Sequence, residues 1–113
     1  MKETIYLDNN ATTSVAPEAF EAMTPFLTDQ YFNPSSMYEQ AEGPAHAVEA
    51  ARASIAAFLG GGAESEVVFT SCASESNNAA IFGAIRANSS RRHIITTAVE
   101  HPSVLEVCQE AER

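Results

Sequence analysis

An α/β fold is predicted for this chain by three observations. Two short runs rich in β-branched residues, EVVFT over 66–70 and HIITT over 93–97, read as buried strands. Between them, residues 76 to 88 carry Ala and Ile on nearly all sides, which reads as a helix packed against a sheet. Strand, helix and strand with a connection of this length make a βαβ unit, whose crossover is right-handed and whose strands run parallel. Two parallel strands cover neither face of a sheet fully, so the chain reads as an unfinished piece of a larger α/β layer.

The remaining elements follow from periodicity and from residues that start or stop helices. Residues 1 to 16 read as an irregular segment with one extended piece at Ile5-Tyr6-Leu7, followed by the turn-prone DNNATT. Pro17 stands where a helix tolerates it, at the first turn. Phe20, Met23 and Phe26-Leu27 then recur at helical spacing, giving a helix over 17–28. Asn33-Pro34 marks a turn in the polar loop after it. From Gly43 a second helix places Val48, Ala51, Ile55 and Phe58-Leu59 on one face, and the glycines at 60–62 end it. Pro102 opens a last helix whose inner stripe is Val104, Leu105, Cys108 and Ala111.

Composition narrows the function classes. The chain has 113 residues, 45% of them hydrophobic, enough for one modest core in a single domain. With 15 acidic and 6 basic residues the net charge is −9, which argues against a nucleic-acid partner because phosphate neutralisation needs a clustered Lys/Arg face. No apolar stretch reaches the roughly 18 residues of a membrane span. The start MKETIYLDNNATT lacks the apolar core of a secretory signal, so the cytoplasm is the expected compartment. Cys72 and Cys108 match no zinc spacing and form no disulfide framework, and they read as reduced thiols.

Chemistry concentrates in two places. In open α/β sheets ligands bind beyond the carboxyl ends of the strands, where the turn SCASES lies. The first N–H groups of a helix have no intrahelical acceptor, and the helix dipole adds partial positive charge there, so a phosphate is a natural guest. Small side chains admit it to the backbone, and the hydroxyls of Ser71, Ser74 and Ser76 offer further donors. A helix-capping role for Ser74 explains the same run, and the motif is neither a Walker A nor a GxGxxG fingerprint. Just past the second strand, His101 is placed to stack on an aromatic ligand or to relay a proton, or simply to precede a helix at the surface. His46 and His93 have no comparable context and read as structural or exposed.

Four motifs together bring a resemblance. YLDNNATT at Tyr6–Thr13, NPSS at Asn33–Ser36, VVFTSCASESNNAAI at Val67–Ile81 and HIITTAVEHPSVLE at His93–Glu106 resemble the N-terminal part of the NifS/IscS-type cysteine desulfurases. These are enzymes of the aminotransferase class V group that use pyridoxal 5′-phosphate. The resemblance implies a fold-type I transferase with a three-layer α/β/α large domain, here incomplete. Residues 1–16 would be the small-domain or active-site arm and 17–113 the start of the cofactor-binding domain. It also implies that Ala73 and Ser74 hold the cofactor phosphate, that His101 stacks on the pyridine ring and takes part in proton transfer, and that Asn10, Ala11 and Thr12 lie near the substrate. Ser74 stands where Thr is commoner, and Tyr38, Gln40 and Ala41 depart from the usual loop pattern.

By the same resemblance the reaction converts L-cysteine to L-alanine and an enzyme persulfide, which feeds iron–sulfur cluster assembly through a scaffold or another sulfur acceptor. Relatives of this kind are homodimers. A complete relative needs a lysine for the Schiff base, an aspartate on the ring nitrogen and a loop cysteine. The one lysine here is Lys2, at the chain end, and Cys72 and Cys108 lie in the wrong motifs for the third role. The chain alone is therefore expected to be an inactive fragment of such an enzyme. Two other readings fit the same residues: a non-catalytic module that binds a phosphorylated ligand, and another class V enzyme such as a selenocysteine lyase.

Overall fold

The computed structural model describes residues 4–113, and Lys2 lies outside them. The chain divides into two units, one running up to Val67 and the other from Val68 to Arg113.

In the first unit, α1 (Pro17–Thr28) spans the residues that periodicity predicted, with Pro17 at its first position and Ala16 extended before it. Proline fits there because the missing N–H would have had no helical acceptor. A second proline, Pro25, lies inside α1 and removes one main-chain donor. Two hydroxyls on the same helix donate back into it, Thr24 Oγ1 to the Phe20 carbonyl (2.8 Å) and Thr28 Oγ1 to that of Thr24 (3.0 Å). The apolar stripe of α1 is uncovered: Phe20, Met23 and Leu27 are all exposed. In the following loop Asn33 Oδ1 accepts from the Ser35 N–H at 2.9 Å and the Asn33 carbonyl from that of Ser36 at 3.0 Å. This is the predicted Asn-Pro turn.

A short 3₁₀ turn (Glu39–Ala41) leads into α2 (Glu42–Phe58), whose buried residues are Pro44 and Ala56, with Ala41 buried just ahead of it. The predicted inner stripe is not the buried one, since Ile55 and Phe58 are exposed. No described element covers that face. The glycines end α2 as expected. The N–H of Gly60 reaches the Ala57 carbonyl (3.3 Å) and that of Gly61 the Ala56 carbonyl (2.9 Å), with φ of +114° and +78°. This is a Schellman closure, in which glycine meets no Cβ penalty at positive φ. Arg52 on α2 donates from Nη1 to the carbonyl of Val67 and pairs through Nε with Glu49 at 3.5 Å, tying the helix to the end of the unit.

The second unit pairs α3 (Ala73–Ala87) with α4 (Pro102–Glu112). Half-buried residues fall at 77, 81, 82 and 85 on α3 and at 103, 104, 105, 108 and 111 on α4, the spacing of one helix face in each case. The predicted stripe of α4 is thus on the packed side. Its most buried member, Val107, was not in that prediction, and its relative exposure is 5%.

The two predicted strands are the main correction. Residues 67–70 and 91–97 are non-helical, yet no strand or ladder occurs among the described residues. Val68, Phe69, Ile94 and Ile95 are exposed rather than buried. Parallel pairing is stable only with both faces covered, and nothing in either unit supplies that cover. The α/β layering is therefore not seen among the described residues.

Candidate functional site

The turn before α3 is built by side chains folding back on the backbone. Cys72, in extended conformation, is the N-cap, so the helix begins three residues earlier than periodicity predicted. Ser74 consequently sits at the second helical position and does not cap the helix. Glu75 instead folds back onto the residue before the N-cap: its Oε2 accepts from both the N–H and the hydroxyl of Ser71, each at 2.7 Å. These two bonds, the hydroxyl first, hold the Glu75 carboxyl below its usual pKa.

The hydroxyls of the turn divide into engaged and available groups. Ser71 is bound to Glu75. Thr70 and Ser76 share a hydrogen bond at 2.6 Å, and whichever hydroxyl accepts it donates its own proton to the Cys72 carbonyl. Of the three serines expected to offer donors, Ser74 alone keeps its hydroxyl without a hydrogen-bond partner among the described residues. Its carbonyl accepts from Asn78 Nδ2 at 2.9 Å.

The first N–H groups of α3, on Ala73, Ser74 and Glu75, have no carbonyl partner, as every helix start requires. Those of Glu75 and Ser74 face the Cys72 sulfur instead. The Glu75 N–H first, and the Ser74 N–H with it, pull the Cys72 thiol below its ordinary pKa, and Cys72 is exposed.

At the start of α4, His101 is the N-cap and its side chain accepts from the Ser103 N–H (Nδ1 to N, 3.1 Å). Nδ1 also lies 2.8 Å from Ser103 Oγ, and Ser103 Oγ accepts from Asn77 Nδ2 on α3 at 2.9 Å. Pro102 occupies the first helical position, so the Ser103 amide is the first on α4 able to reach the ring.

These two helix starts meet. Ser74, Asn78, His101, Ser103, Glu106 and Glu110 are among the residues lining one open cleft of about 470 Å³ between α3 and α4. Ala73, Ser74 and His101 thus belong to one unit, and Ser74 and His101 share one cleft. Asn10, Ala11 and Thr12 belong to the other unit, in a turn where the Ala11 and Thr12 N–H groups reach the Asp8 carbonyl and Thr12 Oγ1 pairs with the Tyr6 hydroxyl at 2.6 Å. His46 and His93 are exposed, as expected. Sequence reasoning missed Asn77, Ser103 and Glu75. The signal for Ser103 was available: a histidine two residues before a serine across a proline is the spacing of an N-cap acceptor and its donor.

The donor set fits a phosphate ester. The start of α3 offers main-chain N–H groups with no helical acceptor and the positive end of the helix dipole, and Ser74, whose hydroxyl is unengaged, lines the same cleft as His101. The charged residues lining the cleft are Glu106 and Glu110, so countercharge from Lys or Arg is not supplied there.

Comparison with known proteins is consistent across sequence and structure. Residues 5–113 match the model of the family described as aminotransferase class-V. A cysteine desulfurase of Trichormus azollae is 57% identical over 108 residues, covering 96% of this chain and 27% of the relative. The cysteine desulfurase NifS of Azotobacter vinelandii is 47% identical over 104 residues, covering 92% of this chain and 26% of the relative. A solved NifS-like protein superposes with a TM-score of 0.84 at 38% identity, covering 96% of this chain and 30% of that one. The chain therefore spans a little over a quarter of the length of the curated relatives it matches.

Proposed function

Because this chain belongs to the aminotransferase class-V family, we propose that it forms the amino-terminal part of a pyridoxal-phosphate-dependent cysteine desulfurase. The reaction would yield L-alanine from L-cysteine and leave the sulfur on the enzyme as a persulfide, for transfer to an iron–sulfur scaffold or another acceptor in the cytoplasm. The observation that carries this reading is the shared cleft of Ser74 and His101.

The residues divide the work as follows. The N–H groups of Ala73 and Ser74, with the Ser74 hydroxyl, hold the phosphate ester at the start of α3. His101 faces the ring and holds or moves a proton at its exposed nitrogen. Asn10, Ala11 and Thr12 lie toward the substrate. The cofactor, when bound, acts as an electron sink for the substrate carbons. Residues 17–113 begin a three-layer α/β/α domain in which 66–70 and 93–97 become strands once neighbours pair with them, residues 1–16 form an arm, and the complete protein is a homodimer.

A graft tests the reading. Residues 5–113 replace the matched segment of the Trichormus azollae enzyme, and the hybrid is assayed for alanine released from L-cysteine. We expect turnover, with His101→Ala lowering it roughly 10²- to 10⁴-fold, the range of a lost acid–base group. A folded hybrid that binds pyridoxal phosphate but releases no alanine would overturn the assignment. The phosphate seat has its own readout in the chain itself. Pyridoxal phosphate should slow alkylation of Cys72, since the proposed phosphate seat and the thiolate both draw on the Ser74 N–H. An unchanged rate removes the start of α3 as the phosphate seat.

A further inference from the structure

We propose that Ser103 and Asn77 are positioning residues for His101, fixing its neutral ring as the tautomer with the proton on Nε2. A main-chain N–H only donates, so the 3.1 Å bond from the Ser103 N–H requires a lone pair on His101 Nδ1. The Ser103 hydroxyl, 2.8 Å from the same nitrogen, must then point its proton at Nδ1 as well. It is free to do so because its oxygen accepts from Asn77 Nδ2 at 2.9 Å, and an amide nitrogen also only donates.

Every bond in this relay therefore has one direction, from Asn77 through Ser103 to Nδ1. Both Asn77 and Ser103 are half-buried where α3 packs on α4, which limits competition from water. The ring proton is left on Nε2, which makes no hydrogen bond among the described residues. Asn77 lies 26 residues from Ser103 and on the other helix, so the relay also ties the ring to the start of α3, where Ser74 stands. In the proposed desulfurase, on which the functional meaning of this inference rests, the group offered toward the cofactor by His101 would be an N–H donor at Nε2.

The test is read without cofactor, so it stands or falls apart from the graft. Long-range ¹H–¹⁵N correlations on the ¹⁵N-histidine-labelled chain, recorded about two units above the ordinary imidazole pKa of ~6.5, distinguish the two neutral tautomers. The wild-type chain should show His101 with Nε2 protonated and Nδ1 bare. Ser103→Ala should lower the Nε2–H to Nδ1–H ratio about fivefold, the worth of one neutral hydrogen bond. Ser103→Thr, which keeps the hydroxyl, should restore it. Asn77→Ala should act in the same direction, and the double variant should be no worse than Ser103→Ala, because Asn77 works through Ser103. A predominant Nδ1–H tautomer in the wild-type chain overturns the proposal without any variant. So does a Ser103→Ala ratio equal to that of the wild type.

Discussion

Replacing Val107 by Ala should loosen the helix pair that sets His101 beside Ser74. Val107 is 5% exposed and is the one buried residue of the second unit among those described. The substitution deletes two methyl groups, each worth about 0.8 kcal/mol when buried. The partners around it on α3 and α4 are half-buried, so they relax into part of the gap and keep the cavity contribution small. The expected loss is about 1.5–2.5 kcal/mol. Urea unfolding followed by helical circular dichroism measures it: with a slope near 1 kcal/mol/M for so small a unit, the midpoint of the second unit falls by about 1.5–2.5 M. Gln109→Ala, on an exposed position of the same helix, is the control and should stay within about 0.5 kcal/mol of wild type. Equal midpoints for the two variants would mean that Val107 does not anchor α4, and that the cleft owes its geometry to something else.

Three further outcomes are expected. Iodoacetamide should modify Cys72 well before the half-buried Cys108 at neutral pH, with a rate midpoint below the ordinary thiol pKa of about 8.5, read by mass spectrometry of the peptides; a midpoint at or above that value contradicts the N–H groups aimed at the sulfur. Glu75 has a lowered folded pKa, so its contribution is complete above the ordinary carboxylate value of about 4.3 and disappears as pH falls through the folded one. Wild type and Glu75→Gln should therefore differ in urea midpoint at pH near 6 and converge in acid, whereas parallel curves would show that the Ser71 bonds do not stabilise the turn. Gly61→Ala puts a Cβ at a φ of +78° and should cost about 1 kcal/mol by the same unfolding assay; an unchanged midpoint would count against the Schellman closure.

How much of this was legible before the structure depends on the range of the interactions involved. The bounds of α1 and the first residue of α4 follow from Pro17 and Pro102, whose rings act on their own backbone. The end of α2 follows from three adjacent glycines. The strands failed for the opposite reason: pairing needs partners that lie elsewhere, and EVVFT and HIITT carry strand chemistry without them. The start of α3 was misplaced because Ser74 is a good cap by type, while the decision belongs to Glu75 folding onto Ser71, a contact invisible to periodicity. Ser74 and His101 were expected together on the rim of a sheet. They do share a cleft, but the packing of α3 on α4 brings them there.

The bare apolar runs at Val68-Phe69 and Ile94-Ile95 carry a consequence for handling the molecule. Exposed apolar side chains on non-helical backbone form a template on which an extended peptide can add itself, including another copy. Concentrating the chain should therefore produce intermolecular β structure, visible as thioflavin fluorescence, whereas a lysine at position 95 should keep it clear.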